Sequence, residues 1–312
     1  MIFPFFLVKI LKHNRKEKKL IIKTNGDPRK ISNACGKIKE TTPLLEEVID
    51  FYEKIFLLQA DSFKTLKIKP VLISKDLLQK KLEEKFPLIA REEFSIDFKA
   101  SEYILGKICE LCSDYNIKDH EQANALLKKI HDHELSFREI AEKFLSQDDS
   151  WLDDFTKEND LEKPSIEFLF YNSMKPSIVA CSEQIASFLD NDSAQSKTQG
   201  YCPVCGSMPG VSLLSSENGT RSFTCSFCWH EWETQRIFCP FCGTRDSKKL
   251  SYLEIEGNKR IRGDVCDQCM KYIKTIDLRE CRDDIYLPLE LLAAIPLDMK
   301  LDEEGYKSGN II

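Results

Sequence analysis

Four C-x-x-C pairs, Cys202 with Cys205, Cys225 with Cys228, Cys239 with Cys242 and Cys266 with Cys269, hold eight of the 13 cysteines of this chain. Thiolates three residues apart converge on one cation when the backbone turns tightly between them, and the N–H groups of that turn soften the sulfur charge. Each pair is therefore half of a tetrahedral site. Gly206 and Gly243 follow two of the pairs where such a turn needs positive φ, which glycine adopts without strain. The segment CPVCG at 202–206 recurs as CPFCG at 239–243, and each copy is followed by a plainer pair after 19 or 23 intervening residues. This internal repeat favours pairing in chain order: Cys202, Cys205, Cys225 and Cys228 on one ion, Cys239, Cys242, Cys266 and Cys269 on another. An interleaved pairing, first with third and second with fourth, uses the same residues. Two closed sites of four thiolates leave no open coordination position, so they act as staples or electron-holding centres and not as Lewis acids. Tetrahedral sulfur suits zinc or iron, and the affinity order alone favours zinc.

Other residues with chemical potential have plainer uses. His230 lies between Trp229 and Trp232 after the second knuckle and reads as a solvent-facing polar residue between two packing rings, ahead of a ligand or proton relay. The series Phe223, Phe227, Trp229, Trp232, Phe238 and Phe241, with Arg221, Arg236 and Arg245, would make a stacking platform for single-stranded nucleic acid, but filling a thin core is the simpler use. Cys109 and Cys112 form a fifth C-x-x-C inside a helical pattern, where core or near-surface cysteines are favoured over metal or disulfide chemistry, and the leftover Cys281 reads as packing ahead of ligation. His131 and His133 point to different sides of a helix. Neither a phosphate-binding glycine loop nor a nucleophile elbow is present, and no catalytic constellation stands out.

The elements that position the thiols divide the chain. Residues 1–42 form a poorly defined leader: Met1 to Val8 are apolar and a basic cluster follows, the reverse of a secretory signal and too short to span a membrane, so a cytoplasmic protein is expected. Residues 43–189 carry helical periodicity. Leu44, Leu45, Val48, Ile49, Tyr52, Ile55 and Phe56 paint one face; Leu77, Leu78, Leu82 and Phe86 another; Tyr103, Ile104, Ile108, Leu111, Cys112 and Tyr115 a third. Ser136 with Glu139 reads as a capping box, and Pro176 predicts a kink or break within Ile166 to Leu189. Polar residues 190–200 read as a linker. The fold class expected is a mainly α N-terminal domain followed by small β-rich rubredoxin-like or zinc-ribbon-type metal modules at 201–237 and 238–282, closed by a C-terminal helix and tail at 283–312. Prolines 288 and 296 limit that helix. With a net charge of −6 overall, and 12 basic against 10 acidic residues in 201–282, general nucleic-acid binding is disfavoured.

The motifs CPVCGSMP at 202–209, a C-x-x-C followed by Trp229 and Trp232, RIFCPFC at 236–242, LSYLEIE at 250–256 and VCDQCMKYIK at 265–274, with the tail PLDMKLDEEGY at 296–306, resemble the FdhE family of formate dehydrogenase accessory proteins. The resemblance covers residues 201 to about 306; the helical half agrees only in character and length, and the leader from Pro4 to Lys19 departs from it. It implies a non-enzymatic cytoplasmic assembly factor, a helical domain attached to rubredoxin-like modules, that contacts the catalytic subunit of formate dehydrogenase before export. It also implies iron in the sites, against the zinc expected from spacing. The eight paired cysteines carry over as ligands; Arg236 and Glu256 match without an assigned role. Two other function classes fit the thiol pattern: a zinc-ribbon nucleic-acid binder, and a thiol oxidoreductase or sulfur carrier using a pair such as Cys239 and Cys242.

Overall fold

The computed structural model describes residues 21–22, 25–189, 200–255 and 257–309; the leader from Pro4 to Lys19, most of the linker and Glu256 lie outside the described residues. Helices α1 (Pro28–Thr41), α2 (Glu46–Ser62), α3 (Lys75–Glu84), α4 (Phe98–Asp114), α5 (His120–His131), α6 (Phe137–Leu145), α7 (Asp149–Glu158) and α8 (Lys163–Ala186) come first in the chain. Five of the eight starts are fixed by side-chain caps: Asp27, Ser74, Asp97, Ser136 and Asp148 each accept a first-turn backbone N–H. Helical structure thus begins ahead of Pro43, because Ile31, Ala34, Cys35 and Ile38 repeat at three- and four-residue steps and bury one face of α1. Pro43–Leu45 is instead a 3-10 turn, which leaves Leu44 98% exposed and starts α2 at Glu46. Leu77, Phe86 and Tyr103 are also exposed, so the apolar faces read from periodicity are narrower than their composition.

The central helix is α8, buried on most sides from Ile166 to Ile185. It runs unbroken through Pro176, as one helix and not two. Proline takes away the N–H that would bond the carbonyl of Asn172. Buried Gln59 of α2 supplies it instead, Nε2 donating to that carbonyl at 2.8 Å.

Beyond the helices, strands β2 (Pro209–Leu214), β3 (Arg221–Cys225), β4 (Glu231–Thr234), β5 (Leu250–Glu254), β6 (Ile261–Cys266) and β7 (Lys271–Asp277) form one sheet in the order β4-β3-β2-β7-β6-β5. The two β-rich units are therefore not separate bodies. They join where β2 lies parallel to β7, Ser212 opposite Thr275. A short strand, β9 (Lys307–Ser308), adds to β7, and β1 (Ile21–Ile22) pairs with β8 (Ile285–Tyr286). Phe223, Trp232 and Ile273 pack into the core shared with α2, α4 and α8. A second apolar cluster unites Val211, Leu213, Ile261, Val265 and Ile276 with α9 (Leu287–Ala293) and α10 (Ile295–Glu303). Pro288 and Pro296 sit in the first turns of α9 and α10, where a missing N–H costs nothing, so each opens a helix instead of ending one.

Candidate metal centres

Each cage is built from two knuckles that flank a hairpin. Cys202 and Cys205 stand in the loop before β2, Cys225 ends β3 and Cys228 lies in the following turn; Cys239 and Cys242 precede β5, Cys266 ends β6 and Cys269 follows it. The sulfurs gather in chain order, four and four, all within 4.8 Å of one another in each group. In the first, Cys202 lies 3.6 Å from Cys228, and Cys205 lies 3.5 Å from both Cys225 and Cys228. In the second, Cys239 is 3.8 Å from Cys269 and Cys242 is 3.6 Å from Cys266. A tetrahedron with metal–sulfur bonds of about 2.3 Å has edges of about 3.8 Å, so both donor sets fit a thiolate-bound ion. All eight cysteines are free of disulfides.

The repeat seen in sequence is reproduced in the hydrogen bonds. Cys202 N donates to Ser207 O and Gly206 N to Cys202 O; Cys239 N donates to Thr244 O and Gly243 N to Cys239 O. Turn N–H groups point at sulfur, those of Phe227 and Cys228 at Cys225 and those of Phe241 and Cys242 at Cys239. This is how a protein delocalises the charge of gathered thiolates. The residue after each pair has positive φ in all four knuckles: 77° at Gly206, 61° at Trp229, 76° at Gly243 and 54° at Met270. The glycines mark two of these turns in sequence; Trp229 and Met270 conceal the other two.

The cages differ in their surroundings. All four ligands of the first are buried and belong to the same core as the helices, whereas Cys242 and Cys269 of the second are partly exposed. Leu88 N and Ile89 N donate to the carbonyls of Pro203 and Val204, docking an extended segment onto the first knuckle. Tyr171 of α8 donates to the Phe227 carbonyl at 2.8 Å and accepts from Trp229 Nε1 at 2.8 Å. Arg91 lies 4.4 Å over the Phe227 ring and donates to Ser207. Lys175 Nζ lies 4.3 Å over the Trp229 ring. None of Arg91, Tyr171 and Lys175 sits near a cysteine motif in sequence, so nothing local announced them.

The remaining expectations resolve as follows. His230 is half-buried beside Trp232, not solvent-facing, and burial lowers its pKa to about 4. Phe223, Phe227, Trp232 and Phe238 are buried and offer no stacking platform. Cys109 and Cys112 are core residues of α4 whose thiols burial pushes up to about 12 and about 11. Cys281 packs in the second apolar cluster, and His131 and His133 are exposed. Among the described residues no helix is long and apolar enough to cross a membrane.

Residues 201–236 match the family model described as FdhE, central domain, and residues 237–311 the one described as FdhE, C-terminal domain. A curated "Protein FdhE homolog" of Aquifex aeolicus is 38% identical over 112 residues, which are 35% of this chain and 39% of that protein. A homolog from Pectobacterium atrosepticum and "Protein FdhE" of Escherichia coli O127:H6 are each 33% identical over 114 residues, 36% of both chains. The matched segment thus spans well under half of these relatives. The crystal structure of the FdhE protein from Pseudomonas aeruginosa superposes with a TM-score of 0.62 at 18% identity, covering 92% of this chain and 96% of that one. That likeness extends the shared fold over the helices.

Proposed function

We propose that this chain, which belongs to the FdhE family through its central and C-terminal domains, is a non-enzymatic cytoplasmic accessory factor for formate dehydrogenase that engages the immature catalytic subunit. The family matches support the link to formate dehydrogenase, and the observation that supports a non-enzymatic role is the gathering of four thiols at each of two sites. Four thiolates would complete a tetrahedron around an ion and would leave substrate no coordination position on it. Cys202, Cys205, Cys225 and Cys228 would hold one ion, and Cys239, Cys242, Cys266 and Cys269 the other. Iron in such a cage supplies a one-electron change of charge with its ligands in place, and zinc supplies a staple alone.

Capture of the tagged chain from anaerobic cells should recover the formate dehydrogenase catalytic subunit; a clean preparation lacking it removes the assembly role. Elemental analysis should find two ions per chain. Strong visible absorption after oxidation identifies ferric tetrathiolate, and a colourless preparation identifies zinc. A redox dithiol at Cys239 and Cys242 predicts instead that both titrate as free thiols with metal bound only at the first cage.

A further inference from the structure

We infer that a cavity beside the second cage docks an acidic, extended segment of the protein this chain assists, an inference that rests on the accessory role proposed above. The cavity, about 200 Å³, lies between the knuckle at 236–241 and the sheet surface of β5, β6 and β7. Its lining carries Arg221, Arg236, Arg262 and Lys271 against a single carboxylate, Asp264. Arg221 and Arg262 both engage Asp264, at 3.1 and 2.8 Å. Arg236 donates to the Gly219 carbonyl and Lys271 lies over the Phe241 ring, and neither has a carboxylate partner among the described residues. In a chain of net charge −6 this is a local reversal of sign. A divalent ion in the adjacent cage leaves about two negative charges on its thiolates. Set against those and Asp264, the four cations keep the lining positive.

The rim adds the groups that anchor interfaces. Ile237 is 51% and Tyr252 53% exposed, and the Arg262 guanidinium stacks 4.4 Å over the Tyr252 ring. Exposed tyrosine and arginine around a pocket are the side chains that dominate binding hot spots. Tyr252 also belongs to β5, which ends the sheet, so among the described residues no strand pairs with its outer edge. An extended peptide meets all three features: backbone along the strand edge, an acidic side chain toward the cations, an apolar one on Tyr252 and Ile237. The volume admits one side chain and falls below the roughly 300 Å³ at which small-molecule sites begin.

The test uses metal-loaded full-length protein and a short fluorescein-labelled peptide of alternating glutamate and valine, read by fluorescence anisotropy. Binding should weaken about tenfold in the Arg236→Glu, Lys271→Glu double variant and separately in Tyr252→Ser, with metal content unchanged, and a lysine–valine peptide should not bind. Equal affinity in wild type and both variants overturns the inference. So does loss of the second metal in the charge-reversed protein while Tyr252→Ser binds normally, because the cations then serve only to balance the cage. Tighter binding of an oligothymidylate than of the acidic peptide assigns the surface to nucleic acid and overturns it too. Capture of the formate dehydrogenase catalytic subunit separates the two levels. Equal capture by wild type and variants defeats the pocket and leaves the accessory role; peptide binding without subunit capture defeats the role and leaves the pocket.

Discussion

Gln59 donates its side-chain amide to the backbone carbonyl of Asn172, the carbonyl that Pro176 deprives of its helical donor. The bond crosses from α2 to α8, joining buried Gln59 to half-buried Asn172. It explains how a proline persists inside a helix without dividing it, since the polar group it strands is satisfied by a neighbour.

Replacing Gln59 by leucine should therefore destabilise the protein by about 1–3 kcal/mol, as expected for a partly buried carbonyl left unpaired. In a Pro176→Ala background residue 176 regains its N–H, and the same replacement should cost about 1 kcal/mol less. A double-mutant cycle by urea denaturation reads the difference. Strict additivity would mean that the Gln59 amide does not substitute for the missing helical bond.

The unequal burial of the cages predicts unequal consequences of losing them. Cys202→Ser should release the first ion and loosen the helices as well, because its ligands share their core. Cys242→Ser should remove one ion and leave the helical circular dichroism near wild type. Chelator added to intact protein should strip the half-exposed second cage first. Simultaneous release of both ions, followed by elemental analysis over time, would contradict this.

Much of this arrangement was legible in the sequence, for a physical reason. A knuckle is local, so its spacing, its glycine and its repeat all lie within a few residues. The repeat favoured grouping Cys202 through Cys228 and Cys239 through Cys269 in chain order and left an interleaved pairing open; the sulfurs gather in chain order. What stayed hidden depends on long-range packing. Nothing near Pro176 points to Gln59, more than a hundred residues away, and nothing near the cysteines points to Tyr171. The merging of two repeats into one sheet likewise rests on the β2–β7 contact, which no periodicity encodes. The α1 helix was readable, with Asp27 before Pro28 and apolar residues at helical steps beyond, but the basic leader obscured it.

Met270 occupies the left-handed position that glycine fills after the first and third pairs, and its side chain is 44% exposed. Met270→Gly should relieve backbone strain while losing little buried surface. A gain of up to about 1 kcal/mol in thermal stability is expected with both ions retained, and a clear loss would show that the methionine side chain supports the turn.

Tyr171→Phe removes a hydroxyl that links α8 to two parts of the second knuckle. The Phe227 carbonyl loses its donor and Trp229 Nε1 its acceptor, so a cost of about 1–3 kcal/mol is expected. Tryptophan fluorescence should shift and the first ion should leave faster, with the second unaffected. Unchanged release from the first cage would place the hydroxyl outside its support.

Lys175 gives the pH dependence a specific sign. It is buried in α8, with its ammonium 5.6 Å from the Phe56 ring on α2 and 4.3 Å from that of Trp229, and with no carboxylate partner among the described residues. Burial lowers its pKa from 10.5 to about 7. Between those values the unfolded chain binds the proton more tightly than the folded one, so this residue makes stability rise with pH across that window. Below it both states are charged and the cost of burial is complete; above it both are neutral and the cost disappears. The two rings offset part of the cost through cation–π attraction. Lys175→Met should therefore stabilise the protein by roughly 2 kcal/mol or more near pH 7, and the advantage should shrink steadily toward pH 10 as wild type discharges. Every other titrating group is common to both proteins, so the difference between their denaturation curves isolates this lysine. A difference that stays flat across the window would mean that Lys175 keeps its proton in the fold, held by the rings more strongly than burial expels it.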